Sequence, residues 1–318
     1  MRVLALVPGG IDNQVLFLPT LHHLHEALPK AEIAVVTTPE ARPFYGLTQL
    51  VSEAIPYNFQ GTSSPADWAN LLGVVREYEF EAALTLTQSG SMGLMLWLSG
   101  IPTRIGYEGG SNRLFLTRTV PLKSEQPLTE QYHDLIAGLS ISGPIPDTTL
   151  NIPQKDIDWA EAARQAAGLG DQGFVLIYPG PEAVSGAMYP AEKWAAIIKD
   201  FQGRQPDLPL ALMQTTDNLA IASAITQMTP GIKVIAPETL AQSAAVIAGA
   251  NLLLSPDSYP LYLAIALKVF ALGLFAHNAP ARQLPSAQDG ETRVIGVAST
   301  GSLEDISPEN VLKKVWNE

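Results

Sequence analysis

Short apolar runs of strand character alternate along this chain with segments whose apolar residues have helical spacing. The strand-like runs of the first half are Arg2–Val7, Glu32–Val36, Glu53–Tyr57, Glu81–Leu86 and Thr103–Gly106, and the predicted helices are Gln14–Leu28, Ala66–Glu77, Met92–Leu98 and Thr129–Leu139. Runs of apolar residues bounded by turn residues indicate strands, whereas apolar residues three and four positions apart indicate helices. A β-α-β-α order predicts a parallel sheet with helices on both faces, because parallel strands need a crossover connection.

The segment from Ser142 to Lys155 interrupts this alternation, since it is rich in turn residues and lacks periodicity. Beyond it the alternation restarts, with strand-like runs at Phe174–Tyr178, Pro209–Met213, Lys233–Ile235, Leu252–Leu254, Val269–Phe275 and Arg293–Val297, and helices near Ala191–Phe201, Leu219–Gln227, Leu240–Ala248 and Tyr262–Leu267. We therefore predict an α/β protein of two tandem Rossmann-like domains, residues 1–150 and 151–318, whose parallel sheets face an interdomain cleft. A last helix, capped by Ser307, is expected to pack back toward the first domain.

The charge balance excludes one class of partner. The chain of 318 residues has a net charge of −12 and no basic run, so a nucleic-acid surface is not expected. The first residues enter an apolar strand directly, and polar residues interrupt the longest apolar region, so we expect neither a signal peptide nor a spanning helix. These features favour a cytoplasmic protein, for which peripheral contact with a membrane stays open. The absence of cysteine excludes thiolate chemistry.

A glycine-containing loop follows the first strand of each predicted domain. The first loop contains Gly9 and Gly10, and the second contains Gly180. Glycine lets the backbone approach a ligand closely, although it also suits a plain tight turn. Neither loop has the spacing of G-x-G-x-x-G or of a P-loop, which disfavours a nucleotide-binding dehydrogenase or epimerase and a P-loop enzyme.

The stretch from Leu252 to Leu267 predicts a strand, a tight loop and the start of a helix. In an open α/β sheet ligands bind at such a point, because the helix start offers unpaired N–H groups at the carboxyl edge of the strands. Asp257 and Ser258 lie in the loop. They either contact a ligand there or cap the helix.

Several short motifs follow one another over nearly the whole chain. They are Leu16-Phe-Leu-Pro-Thr-Leu21 after the first glycine-containing loop, Pro102-Thr-Arg-Ile-Gly-Tyr107, Tyr178-Pro-Gly180, Tyr189-Pro-Ala-Glu-Lys-Trp194 and Pro256-Asp-Ser258. Their order and spacing resemble glycosyltransferase family 9, the heptosyltransferase-like proteins of lipopolysaccharide and related glycan assembly. The resemblance implies the GT-B fold and transfer of a sugar from a nucleotide-sugar such as ADP-heptose to a glycan or lipopolysaccharide-type acceptor. It implies no metal ion and no further cofactor.

The position to which the resemblance assigns the general base is altered. Family members have a Gly-Asp pair before the first helix, and the Asp is thought to take the proton from the acceptor hydroxyl. Here Asp12 and Asn13 occupy those two positions. An amide cannot accept the proton, so Asp12 is the candidate base if the loop is shifted by one residue. Either residue could instead cap the helix.

The nucleotide-sugar side departs from the family pattern as well. Where the family has Lys or Arg before its Trp-Pro motif, this chain has Ala187 and Met188, and the nearby Lys193 is either a diphosphate contact or a solvated side chain. Tyr259 and Tyr262 replace the glycine and the histidine of the family's phosphate loop. A tyrosine ring obstructs the approach of a phosphate, and a phenol carries no positive charge near neutral pH.

Three further polar residues are candidates by the resemblance. Asp217 lies where a family acidic residue binds ribose, or it caps the next helix. Arg104 and His133 are acceptor-side candidates that could equally be structural partners. The histidines at positions 22, 23 and 25 lack the i, i+4 spacing of a helical metal pair, so no metal site is expected.

Two functions remain open. By the resemblance, this chain has other residues in place of the family's general base, its phosphate-binding cation, and the glycine and histidine of its phosphate loop. These substitutions favour a degenerate family 9 protein that acts as a non-catalytic binding or scaffold protein for an unidentified protein partner. The alternative is an active, metal-independent heptosyltransferase-type enzyme. In the first case apolar side chains at the surface could bind the partner, and the candidates are Met92, Leu94, Trp97 and Trp316.

Overall fold

The computed structural model describes residues 1–59, 64–170, 173–182, 188–277, 280–284 and 293–317. The chain divides into two compact units, Met1–Asn151 and Ile152–Glu318, called here the first and the second domain. Ala187, which precedes the Tyr-Pro motif, lies outside the described residues.

The described part of the first domain forms one parallel sheet. Its strands are β1 (Arg2–Val7), β2 (Glu32–Thr37), β3 (Glu53–Pro56), β4 (Ala82–Thr85), β5 (Thr103–Tyr107) and β6 (Arg118–Val120), in the spatial order β3-β2-β1-β4-β5-β6. The helices are α1 (Ile11–Ala27), α2 (Pro65–Glu77), α3 (Gly90–Leu98) and α4 (Leu128–His133), and the 3₁₀ helices are Arg42–Leu47, Ser111–Phe115 and Asp134–Leu139. Strands β1, β2 and β4 are almost wholly buried, which explains why their sequences are nearly continuous apolar runs.

The second domain repeats this arrangement. Its described strands are β7 (Val175–Ile177), β8 (Leu210–Met213), β9 (Lys233–Ile235), β10 (Leu252–Pro256), β11 (Ala271–Ala276) and β12 (Val294–Ser299), in the parallel order β12-β11-β10-β7-β8-β9. Its helices are α5 (Gln154–Ala166), α6 (Ala191–Arg204), α7 (Leu219–Met228), α8 (Leu240–Ala248), α9 (Tyr259–Ala266), α10 (Pro280–Gln283) and α11 (Pro308–Trp316). The predicted α/β class, with one Rossmann-like parallel sheet in each half, is confirmed.

The last helix, α11, packs on α6 of its own domain. The ring of Trp316 lies 4.9 Å from that of Phe201, and its indole N–H donates to the Asp200 carboxylate at 2.9 Å. The side chain of Ser307 accepts from the backbone N–H of Asn310, so the predicted cap is confirmed. The predicted packing of this helix toward the first domain stays a prediction.

Four elements illustrate how the structure differs from the sequence-based expectation. Strand β6 has three residues, which is too short to show a periodicity, and α5 begins at Gln154, inside the predicted linker. Strand β10 continues through Pro256, because there it pairs with β11 while its pairing with β7 has ended at Leu254. Helix α9 begins at Tyr259 rather than Tyr262, since a proline in the first helical turn leaves no hydrogen bond unmade.

Candidate functional site

Each sheet has one point where its strand order reverses direction. In the first domain this point lies between β1 and β4, and in the second it lies between β10 and β7. Ligands of open α/β sheets bind at the carboxyl ends of the strands at such a point. The glycine-containing loops follow β1 and β7, and the Asp257–Ser258 loop follows β10, so the candidate loops all lie at these two reversal points.

The loop after β1 is held by Gln14, a residue that the sequence interpretation missed. The fully buried Gln14 side chain donates from Nε2 to the carbonyls of Val7 at 3.1 Å and Gly10 at 3.2 Å. Its Oε1 accepts from the Tyr45 hydroxyl at 2.6 Å, and the Thr38 hydroxyl donates to the Gly9 carbonyl at 2.7 Å. The signal available in the sequence was a lone amide in an apolar helix, which needs buried partners. The carbonyl groups of this loop are therefore bound to the protein itself.

Asp12 and Asn13 lie inside the first turn of α1 and do not cap it. The helix begins at Ile11, and Gly10 is at the N-cap position without a side-chain hydrogen bond, so the capping alternative for both residues is wrong. Burial raises the pKa of the Asp12 carboxyl, and hydrogen bonds from backbone N–H groups of the first turn oppose that shift. The Asn13 Oδ1 accepts from the Tyr132 hydroxyl of α4 at 2.6 Å.

The loop conformation suits this Asn. Gly9 has φ +100, and a Cβ there would lie 2.0 Å from the Asn13 Nδ2. The amide side chain therefore lies directly over the glycine, where only a residue without Cβ fits. Asp12 is left as the ionisable group of this loop, and its carboxyl can accept a proton, whereas the Asn13 amide cannot.

His133 and Arg104 have different kinds of hydrogen-bond partner. The His133 Nε2 lies 2.8 Å from the Nδ1 of His23, and the two imidazole rings stack with centroids 5.0 Å apart. The Arg104 guanidinium donates to the backbone carbonyls of Ile101 and, at 2.6 Å, of Phe115. Arg104 thus makes structural contacts at the start of β5, while His133 joins α4 to α1, the helix that contains Asp12 and Asn13.

In the second domain, Tyr178 brings together three predicted site residues. Gly180 follows it with φ +98, and a Cβ there would lie 2.8 Å from the ring of Pro256, so the turn requires glycine. The Tyr178 hydroxyl donates to Asp217 at 3.1 Å, and its ring lies 5.7 Å from that of Tyr259 in an edge-on contact. Burial raises the pKa of the Tyr259 hydroxyl to about 12. Asp217 precedes the N-cap residue of α7, so its capping alternative is wrong.

The loop after β10 satisfies its own polar groups. The hydroxyl of the buried Tyr262 donates to the Asp257 Oδ1 at 2.6 Å. Ser258 is at the N-cap position of α9, yet its hydroxyl bonds the Pro256 carbonyl at 3.0 Å and the Ser255 hydroxyl at 3.1 Å, not the helix. Neither Asp257 nor Ser258 therefore caps α9 with its side chain. The tyrosine that replaces the family histidine lies folded onto the acidic residue of the loop.

Lys193 is partly exposed and contacts the backbone of its own domain. Its ammonium donates to the backbone carbonyls of Glu304 and, at 3.0 Å, of Ile306. It joins α6 to the segment before α11, because a cation there satisfies carbonyl groups that end a 3₁₀ turn. The structure thus gives Lys193 a structural contact, and its role toward a diphosphate stays a prediction.

Glu182 is a second residue that the sequence interpretation missed. Its carboxylate accepts from the backbone N–H groups of Ala220 and, at 3.1 Å, of Ile221, which are orphan donors at the start of α7. A carboxylate at a helix N-terminus is favoured by the helix dipole. The carboxylate comes from a different strand-to-helix loop, so no local sequence pattern could have revealed this cap. The place where α7 could bind an anion is already taken by the protein.

Comparison with family models identifies the family of this chain. A model of glycosyltransferase family 9 (heptosyltransferase) matches residues 68–314. The chain belongs to this family. Its relatives include Photosynthetic NDH subunit of subcomplex B 1, chloroplastic, of Arabidopsis thaliana, which is 22% identical over 96% of this chain and 71% of its own length. Lipopolysaccharide heptosyltransferase 2 of Escherichia coli is 24% identical over 99% of this chain and 97% of its own.

A solved structure shows the fold of this family 9 protein. A glycosyl transferase family 9 protein from Veillonella parvula aligns with a TM-score of 0.85 and 18% identity, over 99% of this chain and 96% of its own. The two Rossmann-like sheets are accordingly those of the GT-B fold. Within the described residues, no helix is long and apolar enough to span a membrane, and no group of three acidic or histidine side chains is placed to hold a metal ion.

Four of the loops at the carboxyl edge of the second sheet carry acidic residues and no basic ones. The loops from β7 to α6, β8 to α7, β9 to α8 and β10 to α9 contain no Lys or Arg in the sequence. They contain four carboxylates, Glu182, Asp217, Glu238 and Asp257. A diphosphate is normally bound by cations and free N–H groups, so carboxylates here oppose its binding.

The buried histidine pair predicts a pH-dependent stability for the first domain. Burial lowers the pKa of His133, and the neighbouring His23 lowers it further, whereas Asp134 opposes the shift. Below the ordinary histidine pKa of about 6.5 the unfolded chain therefore binds a proton that folded His133 resists, so stability falls with acidification. We expect His133→Gln to flatten the dependence of the urea midpoint on pH between neutral and mildly acidic conditions. The exposed His25→Gln is the control, and equal slopes in the two variants would contradict the assignment.

Proposed function

We propose that this family 9 protein no longer transfers a sugar and acts as a non-catalytic binding or scaffold subunit for a protein partner. The single observation that carries the proposal is that, among the described residues, the protein's own side chains occupy two polar positions at the carboxyl edge of its second sheet. The anion position of α7 holds Glu182, and the loop after β10 holds the Tyr262 hydroxyl on Asp257. Such a surface suits neither the charge nor the shape of a diphosphate.

Like charges at this edge repel a bound phosphate. Two unit charges 4 Å apart interact by about 4 kcal/mol at an effective dielectric constant of 20. A phosphate that replaced Glu182 at the α7 N-terminus would displace a carboxylate already bonded to two N–H groups, and would meet Asp217, whose backbone carbonyl accepts from the Glu182 N–H. The first lysine after the Glu182 loop, Lys193 on α6, is bonded to backbone carbonyls. The leaving diphosphate of a sugar donor would thus lack stabilisation.

The acceptor side supports the same proposal. The residue in the general-base position is Asn13, whose amide oxygen is bonded to Tyr132. Burial raises the pKa of Asp12, which belongs to the first turn of α1. A Cβ added to Gly10 would lie only 2.6 Å from the Asp12 Oδ1. The carboxyl thus lies over its own loop.

A role as a subunit agrees with one of the relatives. The Arabidopsis thaliana relative is by its name a subunit of a subcomplex, and it is similar to this chain over 96% of the chain. We extend that role, membership of a larger protein assembly, to this protein. The proposal includes a cytoplasmic location and needs neither a metal ion nor a cofactor.

Calorimetric titration with ADP, UDP and ADP-heptose tests the loss of donor binding. We expect no binding tighter than about 1 mM, which corresponds to about −4 kcal/mol. The Escherichia coli relative, titrated with the same ligands, is the positive control. Micromolar binding of a nucleotide-sugar would overturn the proposal.

The alternative is an active heptosyltransferase-type enzyme that transfers a sugar from a nucleotide-sugar to a glycan acceptor. Two observations favour it: Asp12 is an ionisable group with a raised pKa at the start of α1, and Arg282 lies on α10, whose Gln283 accepts from Tyr262 at 3.3 Å. If this alternative holds, ADP-heptose binds and Asp12→Asn lowers transfer by about 100-fold or more, the usual effect of losing a general base.

A further inference from the structure

The edge strands of the two described sheets differ in how they are protected against pairing with another chain. Strand β3 contains Glu53 and Pro56, β6 begins with Arg118, and β9 begins with Lys233. Charged residues, proline and short length are the usual means by which a sheet edge avoids such pairing. Strand β12, Val294–Ser299, is the longest of these edge strands, with six residues, and it contains neither a charged residue nor a proline.

The outer side of β12 presents a row of backbone donors and acceptors. The Arg293 carbonyl accepts from the N–H of Ala271 at 2.9 Å, so Arg293 points toward β11. Because this direction alternates along a strand, the N–H and C=O groups of Val294, Gly296 and Ala298 point away from β11. Within the described part of the chain these groups make no backbone hydrogen bond, and no strand pairs with that side of β12.

Helices pack on the two faces of β12 and leave an apolar side chain exposed beside its outer edge. Gly296 faces α10, where a Cβ on the glycine would lie 2.4 Å from the Pro280 Cβ. On the other face Val297 packs in the core of the second domain. Ile295 lies on the same face as Val297, yet it is 39% exposed. A strand added at this edge would cover Ile295.

We propose that β12 pairs antiparallel with β12 of a second copy of this chain, across a two-fold axis at Gly296. In this register Gly296 pairs with its own counterpart, and Val294 pairs with Ala298 of the second copy. All the outward-pointing residues of β12 then form hydrogen-bonded pairs. Ile295 lies opposite Val297 of the second copy, and such cross-strand contacts between β-branched side chains stabilise a sheet.

Charge and symmetry support a second copy as the occupant of this edge. Two chains with a net charge of −12 repel each other over most of their surfaces. Residues 294–303 carry no charge, so two copies can meet here without placing like charges opposite each other. A two-fold contact also requires only one patch that complements itself, and a strand paired about its central residue is such a patch.

Self-pairing does not depend on whether the sugar-transfer site is degenerate, because no candidate site residue lies in β12. It also uses none of the apolar residues that the sequence offered for partner binding. Of these, Met92 and Trp316 pack in or against the cores, and Leu94 and Trp97 lie on α3 of the first domain.

Sedimentation velocity of the full chain over a series of concentrations tests the proposal. A single strand pair buries less than the standard interface of about 1,600 Å², so we expect a dimer that dissociates on dilution. Ile295→Lys places a charge beside the paired edge and should raise the dissociation constant of the dimer by about tenfold or more. Ala298→Pro removes one outward N–H while keeping the hydrogen bonds to β11, and it should weaken the dimer in the same way.

The matched control is Val234→Lys, which introduces the same charge at a 38% exposed residue of β9, the other edge strand of this sheet. It should dimerise like the unsubstituted protein, and circular dichroism should show that each variant is folded. If Ile295→Lys and Val234→Lys dimerise alike, the contact does not use β12 and the proposal is wrong. An unsubstituted protein that stays monomeric up to about 1 mM also overturns it and leaves the edge to a strand of another protein.

Cysteine cross-linking tests the register. The chain contains no cysteine, so an introduced pair forms the only disulfide. Val294→Cys and Ala298→Cys, mixed in equal amounts, should form a disulfide-linked dimer, because the Cα atoms of opposed residues lie about 5.5 Å apart. Val294→Cys alone should form far less, since its two copies would lie about 13 Å apart along the strands. Equal cross-linking in the mixture and in Val294→Cys alone would contradict the pairing about Gly296.

Discussion

Replacement of Trp194 with alanine is expected to lower the free energy of unfolding of the second domain by about 3–5 kcal/mol, the usual effect of removing a large buried aromatic side chain. Trp194 is fully buried, its ring makes an edge-on contact with Tyr189 at 5.0 Å, and its indole N–H donates to the Pro179 carbonyl at 3.3 Å. The substitution removes core packing and also leaves that carbonyl without its donor. Urea unfolding followed by circular dichroism measures the change.

The matched control is Trp97→Ala, which removes a tryptophan that is 53% exposed. We expect it to cost less than about 1 kcal/mol, as most surface substitutions do. A similar loss in both variants would show that Trp194 has no special role in the core. Hydrogen exchange adds a local measurement, since Trp194→Ala should loosen the Tyr178–Gly180 loop that its indole N–H holds.

The family motifs of this chain are of two kinds, those used for packing, such as the one that contains Trp194, and those expected to contact a ligand. The Tyr189-Pro-Ala-Glu-Lys-Trp194 motif is used for packing and for holding the loop after β7, and it retains the residues that do so. The motifs that would contact a phosphate or an acceptor proton are substituted at Asn13, Tyr259 and Tyr262. A fold can persist in this way while its site changes, because the two depend on different residues.

The α/β architecture could be predicted from the sequence because its signals are local. Strands such as β1 and β2 are buried on both faces and therefore appear as continuous apolar runs, and Ser307 with Pro308 marks the start of α11. The failures also have local causes. Pro256 and Pro260 were interpreted as breaks. Pro256 is instead the last residue of β10, beyond the part that pairs with β7, and Pro260 lies in the first turn of α9.

The site could be placed but not described from the sequence. The loops after β1, β7 and β10 follow their strands as the sequence indicated, because glycine and helix-start signals mark them. The partners of the candidate residues could not be found, because they lie in distant segments of the chain. The partner of Asn13 is Tyr132, and that of Lys193 is the carbonyl of Ile306. Glu182 was missed for the same reason, because it caps a helix that begins 37 residues further along the chain. Spacing within one segment carries no information about such contacts.

Three contacts hold the polar groups at the carboxyl edge of the second sheet. Glu182 closes the start of α7, Tyr178 holds Asp217, and Tyr262 holds Asp257. Each contact satisfies a polar group at the carboxyl edge of the second sheet. If the proposal is right, the inability to bind a diphosphate depends on a few side chains and can be reversed.

The triple variant Glu182→Lys, Tyr259→Gly, Tyr262→His is accordingly expected to strengthen ADP binding by about 100-fold, or about 2.7 kcal/mol. The first change frees the N–H groups of Ala220 and Ile221 and supplies a cation, the second removes a ring, and the third replaces a phenol by an imidazole beside Asp257. Calorimetric titration with ADP measures the gain.

Two controls make that result specific. Glu182→Gln alone removes one negative charge without opening the loop, so it should give only a small gain, while Glu238→Lys adds a cation on the loop after β9 and should give less than the triple variant. Circular dichroism must show that the triple variant is folded, since a glycine at the start of α9 costs up to about 1 kcal/mol. A folded triple variant that binds ADP no better than the unsubstituted protein would show that these contacts do not exclude the nucleotide. The lack of donor binding would then need a cause elsewhere in the second domain.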